Sequence, residues 1–248
     1  GGAGMYVTGS YDPETDLVYW GTGNPVPMFD PSYRPGDNLY TNSVLARKPD
    51  TGELDWFFQY TPNEQWDYDE EGTHILFKAD VDGKEQTLLT HSGRNGFLYT
   101  FGAAEGNFLK ANAYMEGINW TAGIDPKTGK PVEYDPAKSD QVQTYAAAAT
   151  RTAENPTAQA CPTIAGGNNF WPSTLSPKTK TIYIPAMTGC VDVTTNTDMH
   201  SVEKGFTGGA YVVSERLESE MVAADPVTGE IKKRVQLKYP NYAGALST

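Results

Sequence analysis

Residues 48–56 read KPDTGELDW, a turn with the pattern proline–x–threonine–glycine followed by an apolar run that contains a tryptophan. The same turn recurs as IDPKTGKPV at residues 124–132 and as ADPVTGEIK at residues 224–232. Proline presets φ early in such a turn, and glycine supplies a positive φ. Repeated turns that lie between short strands predict a β-propeller or a β-sandwich.

Short runs rich in β-branched and aromatic residues lie along the whole chain and predict an all-β protein. The 25 glycines, 17 prolines and 15 tyrosines also suit short strands and tight turns. The best helical candidate is TYAAAATRTAEN, at residues 144–155. The predicted strand runs are MYVTGSY, DLVYWGTG, SVLARKP, LDWFFQY, QTLLTHS, GFLYTFG, TIYIPAM, GAYVVSE, SEMVAADP and EIKKRVQL.

The chain has 248 residues and a formal net charge of −12. An acidic surface repels nucleic acid and anionic lipid, so neither is an expected partner. No run of about 18 apolar residues occurs, so the sequence predicts no membrane-spanning helix. Both ends read as if cut through strands and turns. We therefore expect residues 1–248 to form a single partial domain, an internal fragment truncated at both ends.

The stretch NEQWDYDEEG, residues 63–72, places Asp67 and Asp69 on either side of one tyrosine. In a strand, residues two positions apart point to the same face. Two carboxylates on one face repel each other unless a positive charge lies between them. The stretch is therefore either a solvated acidic turn, continued by Glu70 and Glu71, or a metal site.

Four segments, taken in order, resemble the methanol/ethanol family of quinoprotein alcohol dehydrogenases, which use pyrroloquinoline quinone (PQQ). The resemblance covers essentially the whole chain, but members of the family are more than twice as long. It therefore implies that this chain is the middle section of the large subunit. The segments are YWGTGNPVP (residues 19–27), NEQWDYDEEG (residues 63–72), LLTHSGRNGFLYTF (residues 88–101) and CPTIAGGNNFWP (residues 161–172).

The family fold is an eight-bladed β-propeller with a docking tryptophan in each blade repeat. The resemblance implies that this chain forms about three to four of those blades, which is part of the ring. The segment PDTGELDW matches the repeat and assigns the docking role to Trp56. The two later copies of the turn lack this tryptophan, so we expect other side chains to close their blades.

The resemblance implies a metal site at Asn24, Asp67 and Asp69. Calcium-dependent members of the family carry a small residue at the place of Asp69, whereas lanthanide-type members carry a second aspartate there. A trivalent ion takes many oxygen ligands, and one more carboxylate better balances its charge. The family also draws a glutamate ligand from an earlier blade. By motif, none of the glutamates before Asp67 fits that role.

The same resemblance implies that Asp67 is the catalytic base, in an aromatic pocket that raises its basicity. Arg94 matches the basic residue that contacts the quinone oxygens and stabilises charge as the quinone is reduced. Asn169 matches a cofactor-contacting asparagine, with its neighbour Asn168 as a competing choice. Tyr6 stands where the family has a tryptophan that stacks under the cofactor.

Cys161 and Cys190 fall at the disulfide positions of the family, and a disulfide implies an oxidising compartment, the periplasm. The alternative is a pair of buried free thiols.

The implied activity is oxidation of a primary alcohol, such as methanol or ethanol, to the aldehyde by hydride transfer to metal-bound PQQ. Electrons would pass to a cytochrome c, and the full-length chain would form a homodimer. A calcium-dependent enzyme and a non-enzymatic propeller scaffold stay open as alternatives.

Overall fold

A computed structural model describes residues 1–214 and 216–248. These residues form fifteen β-strands in four antiparallel sheets, together with five short 3-10 turns and no α-helix. The strands are β1 (Ser10–Asp12), β2 (Leu17–Gly21), β3 (Ser43–Arg47), β4 (Leu54–Gln59), β5 (His74–Val81), β6 (Lys84–Ser92), β7 (Phe97–Gly102), β8 (Phe108–Ala113), β9 (Thr157–Ala160), β10 (Thr174–Ser176), β11 (Thr181–Thr188), β12 (Val191–Thr195), β13 (Gly209–Val213), β14 (Glu218–Ala224) and β15 (Ile231–Gln236). The all-β prediction is confirmed.

Three of the sheets are four-stranded blades. Blade 1 has the order β1-β2-β3-β4, blade 2 the order β5-β6-β7-β8, and blade 3 the order β10-β11-β14-β15. In blade 3 the connection from β11 to β14 carries the hairpin β12–β13, which pairs with β9 to form a fourth, small sheet. The described residues thus form part of a propeller, with the blade number that the resemblance predicts.

The blades pack face to face, and β7 shows this most clearly because all of its residues are buried. Tyr99 and Phe101 belong to the apolar cluster shared with blade 1, where they meet Phe58. Leu98, the residue before Tyr99, belongs to a second cluster, shared with Ile182 of blade 3. Successive side chains of a strand point to opposite faces, so one strand supplies both interfaces.

Trp56 on β4 joins blade 1 to blade 2. Its indole Nε1 donates to the backbone oxygen of Ala103 at 3.0 Å, and its ring lies against Tyr19 and Phe101. A Cβ on Gly106 would lie 2.4 Å from the indole ring, so glycine is needed for this approach. The docking role predicted for Trp56 is confirmed.

The repeated turns have the predicted geometry. In the second copy Asp125 Oδ1 accepts from two backbone nitrogens of the turn, and Asp225 does the same in the third copy. The glycines that end the three turns have φ of +71° at Gly52, +70° at Gly129 and +74° at Gly229. The conformation of each turn is therefore specified by its local sequence.

The sequence prediction differs from the structure in several elements. The run at residues 5–11 is irregular until Ser10, and the helical candidate at residues 144–155 contains only a 3-10 turn at Ala147–Ala149. The run at residues 209–215 forms β13, but its last residue lies outside the described part of the chain. Five strands were not predicted, namely β5, β8, β9, β10 and β12. Within the described residues, no helix has the length and apolar character needed to cross a membrane.

Candidate functional site

Residues 60–73, between β4 and β5, form a loop that is mostly buried. A buried loop is stable only if other groups satisfy its backbone polar atoms. Glu64 is fully buried and accepts hydrogen bonds from the backbone nitrogens of Trp66, at 2.5 Å, and Tyr68, at 2.9 Å. Asn42, from the β2–β3 loop, donates to Tyr68 O at 2.5 Å. Buried polar side chains thus fix the path of the acidic stretch.

Side chains alternate along this loop although it is not a strand. Trp66, Tyr68 and Glu70 are fully buried. The side chains of Asp67 and Asp69 retain exposures of 17% and 13%. The predicted placement of the two aspartates on one side is therefore reached by an irregular backbone, in which Asp67 has a φ of +69°.

Arg94 lies between the two aspartates. It belongs to the β6–β7 turn, and its side chain is 7% exposed. Its Nη1 donates to Asp69 Oδ2 at 2.6 Å, and its Nη2 donates to Asp67 Oδ2 at 3.3 Å. One guanidinium therefore offsets the repulsion between the two carboxylates in this structure.

Glu70 and Glu71 are 0% and 3% exposed, so the alternative of a solvated acidic turn is wrong. Glu70 Oε2 pairs with His91 Nε2 at 2.9 Å and accepts from the backbone nitrogen of Arg94 at 3.1 Å. The His91 ring stacks on His74 at 4.0 Å between centroids. Glu70 therefore holds the backbone of Arg94 from the core side, while Asp67 and Asp69 hold its side chain.

The Asp67 carboxyl lies in a poorly solvated position. Burial raises its pKa to about 7; the neighbouring charge of Asp69 acts in the same direction, and Arg94 acts against both. A carboxyl with a pKa near 7 can take up and release a proton at neutral pH. Asp67 bonds to Arg94 through Oδ2 only. Its second oxygen, Oδ1, could therefore bind a ligand.

Asn24 approaches the aspartates through its backbone. Its backbone nitrogen donates to Asp69 Oδ1 at 2.6 Å, and its Nδ2 donates to Pro25 O at 2.9 Å. That arrangement leaves the amide oxygen Oδ1 as the group that could bind a cation. Gly23 must be small here, because a Cβ would lie 2.7 Å from Asp69 Oδ1.

Tyr6 also reaches the acidic stretch. Its phenol donates to Asp69 Oδ2 at 2.9 Å, and its backbone nitrogen donates to Glu71 Oε2 at 2.6 Å. Partial burial raises the pKa of the phenol, and the charge of Asp69 raises it further. The residue remains 58% exposed, so its ring offers a face on which a planar ligand could stack.

The segment that follows β9 also contacts Arg94. Cys161 and Cys190 form a disulfide with their Cα atoms 4.4 Å apart, which confirms the predicted pairing. Beyond the disulfide, Tyr68 Oη donates to Pro162 O at 2.6 Å, and Arg94 Nη2 donates to Ile164 O. The disulfide therefore anchors a segment that contacts both the acidic loop and Arg94.

The two candidate asparagines differ in their surroundings. Asn168 is 1% exposed, and its amide bonds to Trp171 O, Pro185 O and the Ser92 hydroxyl. Asn169 is half-buried, and its amide makes only local contacts, to Ala165 O and from the next backbone nitrogen. Among the hydrogen bonds of the described residues, none joins either amide to Arg94. Asn169 is the one with an amide that a ligand could still reach.

Sequence reasoning missed three residues at this site, Gly23, Glu70 and Glu71. Glu71 continues the alternation of Asp67 and Asp69, so its position two residues further on could have indicated it. Glu70 depends on His91, which is 21 positions away, and no local pattern predicts that contact.

The oxygen donors suit a hard cation. Two carboxylates, Asp67 and Asp69, are paired with one guanidinium, and Asn24 lies beside them. Among the residues described, however, no three acidic, histidine or cysteine side chains converge on one point that could hold a metal ion. The donors present would therefore form part of a coordination shell.

The residues also suit an oxygen-rich planar ligand. Arg94 Nε is buried and has no hydrogen-bond acceptor among the described residues. A buried donor without an acceptor is costly, and a quinone oxygen could accept from it. The exposed ring of Tyr6, whose phenol donates to Asp69, supplies a stacking surface.

A family model described as "PQQ: Glucose/ethanol/alcohol dehydrogenase, beta-propeller domain" matches residues 1–111. XoxF of Paracoccus denitrificans is 36% identical over 253 residues, which cover 100% of this chain and 41% of the relative. A lanthanide-dependent methanol dehydrogenase of Methylorubrum extorquens is 32% identical over 245 residues, which cover 96% of this chain and 40% of the relative. The chain thus spans about two fifths of the length of these curated relatives.

Solved structures of dehydrogenases also superpose on this chain. A quinohemoprotein alcohol dehydrogenase from Comamonas testosteroni superposes with a TM-score of 0.84 at 27% identity, over 100% of this chain and 37% of that one. A europium-containing methanol dehydrogenase superposes with a TM-score of 0.78 at 27% identity, over 98% of this chain and 41% of that one. The fold is therefore that of the propeller dehydrogenases, and the chain belongs to the family of PQQ-dependent quinoprotein alcohol dehydrogenases.

Proposed function

We propose that the protein to which this chain belongs oxidises a primary alcohol, such as methanol or ethanol, to the aldehyde. The observation that carries this proposal is the convergence of Asp67 and Asp69 on Arg94, beside Tyr6 and Asn24. The names of the relatives, which are alcohol and methanol dehydrogenases, support it. When bound, PQQ supplies a two-electron acceptor for hydride, and the metal supplies a Lewis acid.

Asp67 acts as the general base in this proposal. Its Oδ2 is held by Arg94, which leaves Oδ1 to accept the hydroxyl proton of the alcohol. In the site without metal, burial raises the pKa of Asp67 to about 7, so its carboxyl binds a proton more tightly than an exposed aspartate does. The buried Trp66 and Tyr68 on either side limit the access of water to this carboxyl.

Arg94 has two tasks. It orients Asp67 and Asp69, and its buried Nε is free to donate to a cofactor oxygen that gains charge during reduction. Tyr6 would stack on the planar cofactor, and Asn169 would donate to it through its half-buried amide. Each assigned role uses an atom or ring face of the side chain that its present hydrogen bonds leave available to a ligand.

For the metal we propose a lanthanide(III) ion, held in part by Asn24, Asp67 and Asp69. The excess of carboxylates over guanidinium favours a trivalent ion over a divalent one. The lanthanide-dependent and europium-containing relatives support this choice. A calcium-dependent enzyme is the alternative, and in that case Asp69 would serve only to orient Arg94 and Asn24.

We further propose a periplasmic location, a cytochrome c as electron acceptor and a homodimer of the full-length protein. The disulfide between Cys161 and Cys190 supports the location, because disulfides persist in oxidising compartments. The acceptor and the homodimer rest on the family resemblance alone.

A non-enzymatic scaffold is disfavoured, because a scaffold needs no buried donor without an acceptor at Arg94.

The test of the activity is Asp67→Asn in the full-length protein loaded with PQQ and metal. We expect turnover of alcohol to fall at least about 100-fold, while PQQ is still bound. Asp50→Asn, at the exposed turn of blade 1, is the matched control and should keep full turnover. Full turnover by Asp67→Asn with bound PQQ would refute the proposal.

A further inference from the structure

Glu71 is the third carboxylate on the side of the loop that carries Asp67 and Asp69, and it is 3% exposed. Its Oε2 accepts a hydrogen bond from the backbone nitrogen of Tyr6 at 2.6 Å. Its Oε1 is buried and has no hydrogen-bond donor in the described part of the chain. A buried carboxylate with one bonded and one unbonded oxygen is costly, so its presence here calls for a physical reason.

Three segments meet at Glu71. A Cβ on Gly23 would lie 2.8 Å from its Oε1, and a Cβ on Gly4 would lie 3.6 Å from the same atom. Gly23 N donates to Gly4 O at 2.9 Å, which joins the amino-terminal segment to the segment of Asn24. Glu71 therefore lies where the amino-terminal segment, the Asn24 segment and the acidic loop come together.

Tyr6 is attached to the acidic loop at two points. Its backbone is fixed by Glu71, and its phenol is fixed by Asp69. The residue is 58% exposed, so packing alone does not hold it. Loss of the hydrogen bond to Glu71 would therefore leave Tyr6 attached to the acidic loop through its phenol alone.

We propose that Glu71 is a positioning residue that holds Tyr6 against Asp69 through the hydrogen bond from Tyr6 N. The inference rests on the proposed function, in which Tyr6 stacks on the cofactor and Asp69 binds the metal. The hydrogen bond, not the charge, is the essential feature of Glu71. Its partner is a neutral N–H, and the guanidinium of Arg94 is bonded to Asp67 and Asp69.

The test compares two substitutions in the full-length protein, one that removes the charge of residue 71 and one that shortens its side chain. Glu71→Gln keeps the length of the side chain and an acceptor oxygen but loses the charge. Glu71→Asp keeps the charge but is one methylene too short to reach Tyr6 N. We expect Glu71→Gln to bind PQQ within threefold of the wild type, and Glu71→Asp to bind about tenfold more weakly. Quenching of intrinsic fluorescence on titration with PQQ measures the dissociation constant.

Glu105→Gln and Glu105→Asp are the matched controls, because Glu105 is an exposed residue of the β7–β8 turn. Both should bind PQQ as the wild type does. The opposite order at residue 71, with Glu71→Asp normal and Glu71→Gln weak, would assign the role to charge and overturn the proposal. Equal binding by both variants and the wild type would also overturn it.

A second measurement is independent of PQQ. Hydrogen exchange of the Tyr6 amide in the full-length protein without cofactor should be about tenfold faster in Glu71→Asp and unchanged in Glu71→Gln. Unchanged exchange in Glu71→Asp would overturn the positioning role. If the exchange pattern holds but the wild type binds no PQQ, the positioning role stands and the proposed function fails.

Discussion

Arg94 Nη1 lies 2.6 Å from Asp69 Oδ2, in a contact between residues 25 positions apart. The same guanidinium reaches Asp67 through Nη2, and its backbone nitrogen is held by Glu70. The β6–β7 turn and the acidic loop therefore form one unit, in which a single cation determines where two carboxylates point. The expected behaviour of variants at this site follows from that unit.

Arg94→Lys should impair the site without unfolding the protein. An ammonium group cannot form the planar fork that contacts two carboxylates at once, nor can it present a donor at the place of Nε. We expect kcat/KM for alcohol to fall at least about 100-fold in the full-length, loaded protein. Steady-state kinetics measure this effect, and Arg47→Lys, on the partly exposed end of β3, is the control. Wild-type kcat/KM in Arg94→Lys would remove Arg94 from the mechanism.

Gly23→Ala should weaken metal binding. Gly23 does not have a positive φ, so alanine is compatible with its backbone, but the new Cβ would lie 2.7 Å from Asp69 Oδ1 and 2.8 Å from Glu71 Oε1. We expect about tenfold weaker binding of europium(III), measured by luminescence titration of the full-length apoprotein. Gly4→Ala places its Cβ at an ordinary 3.6 Å from Glu71 Oε1 and should bind normally. Equal affinities in the two variants would contradict this account of the space around Asp69.

Glu64 should make stability depend on pH. Burial raises the pKa of its carboxyl to about 7, so the folded state binds its proton more tightly than the unfolded state does. Its contribution is fully present below the unfolded pKa, near 4.5, and is lost as pH rises through about 7. Glu64→Gln resembles the protonated form and has no such loss.

Between pH 5 and pH 8 the unfolding free energy of the wild type should therefore fall relative to that of Glu64→Gln, by on the order of 2 kcal/mol. Urea unfolding at several pH values measures the difference. Glu105→Gln, at an exposed position, should show no such trend relative to the wild type. A difference that is constant across this range would show that Glu64 does not retain its proton in the folded protein.

Trp56→Ala should loosen the interface between blades 1 and 2. The substitution removes the hydrogen bond to Ala103 O and the ring contacts with Tyr19 and Phe101. We expect a loss of about 3 kcal/mol in the free energy of unfolding, and a smaller loss of about 2 kcal/mol for Trp56→Phe, which loses the hydrogen bond and part of the ring packing. Urea unfolding provides the values. Phe57→Ala, on the more exposed face of β4, should cost less than Trp56→Ala, and the reverse order would contradict the docking role.

Features that depend on local sequence were predictable. The turns ending at Gly52, Gly129 and Gly229 formed as expected, because proline and glycine restrict the backbone by themselves. The docking role of Trp56 was also predicted, because the blade repeat in PDTGELDW assigns that role to its tryptophan. By contrast, β5 was missed although Phe77–Val81 alternate between apolar and polar residues, because the three consecutive apolar residues at its start, Ile75–Phe77, break the strand period.

The site was predictable in part for the same reason. Asp67, Asp69 and Arg94 lie in recognisable motifs, and the structure brings them together. Which cation balances the carboxylates could not be read from the sequence, because Arg94 is 25 positions from Asp69 and the contact depends on how blades 1 and 2 pack. Glu71 looked like a solvated residue because its burial comes from the amino-terminal segment, which is distant in sequence.

The most direct test of the account is the metal content of the full-length native protein, purified without added metal and measured by mass spectrometry of the elements. We predict a lanthanide, such as lanthanum or cerium, at close to one ion per chain, and a large loss of that ion in Asp69→Ala. Calcium at one ion per chain, retained in Asp69→Ala, would contradict the role that we propose for Asp69. A well-folded protein that holds neither metal would contradict the proposed enzyme itself.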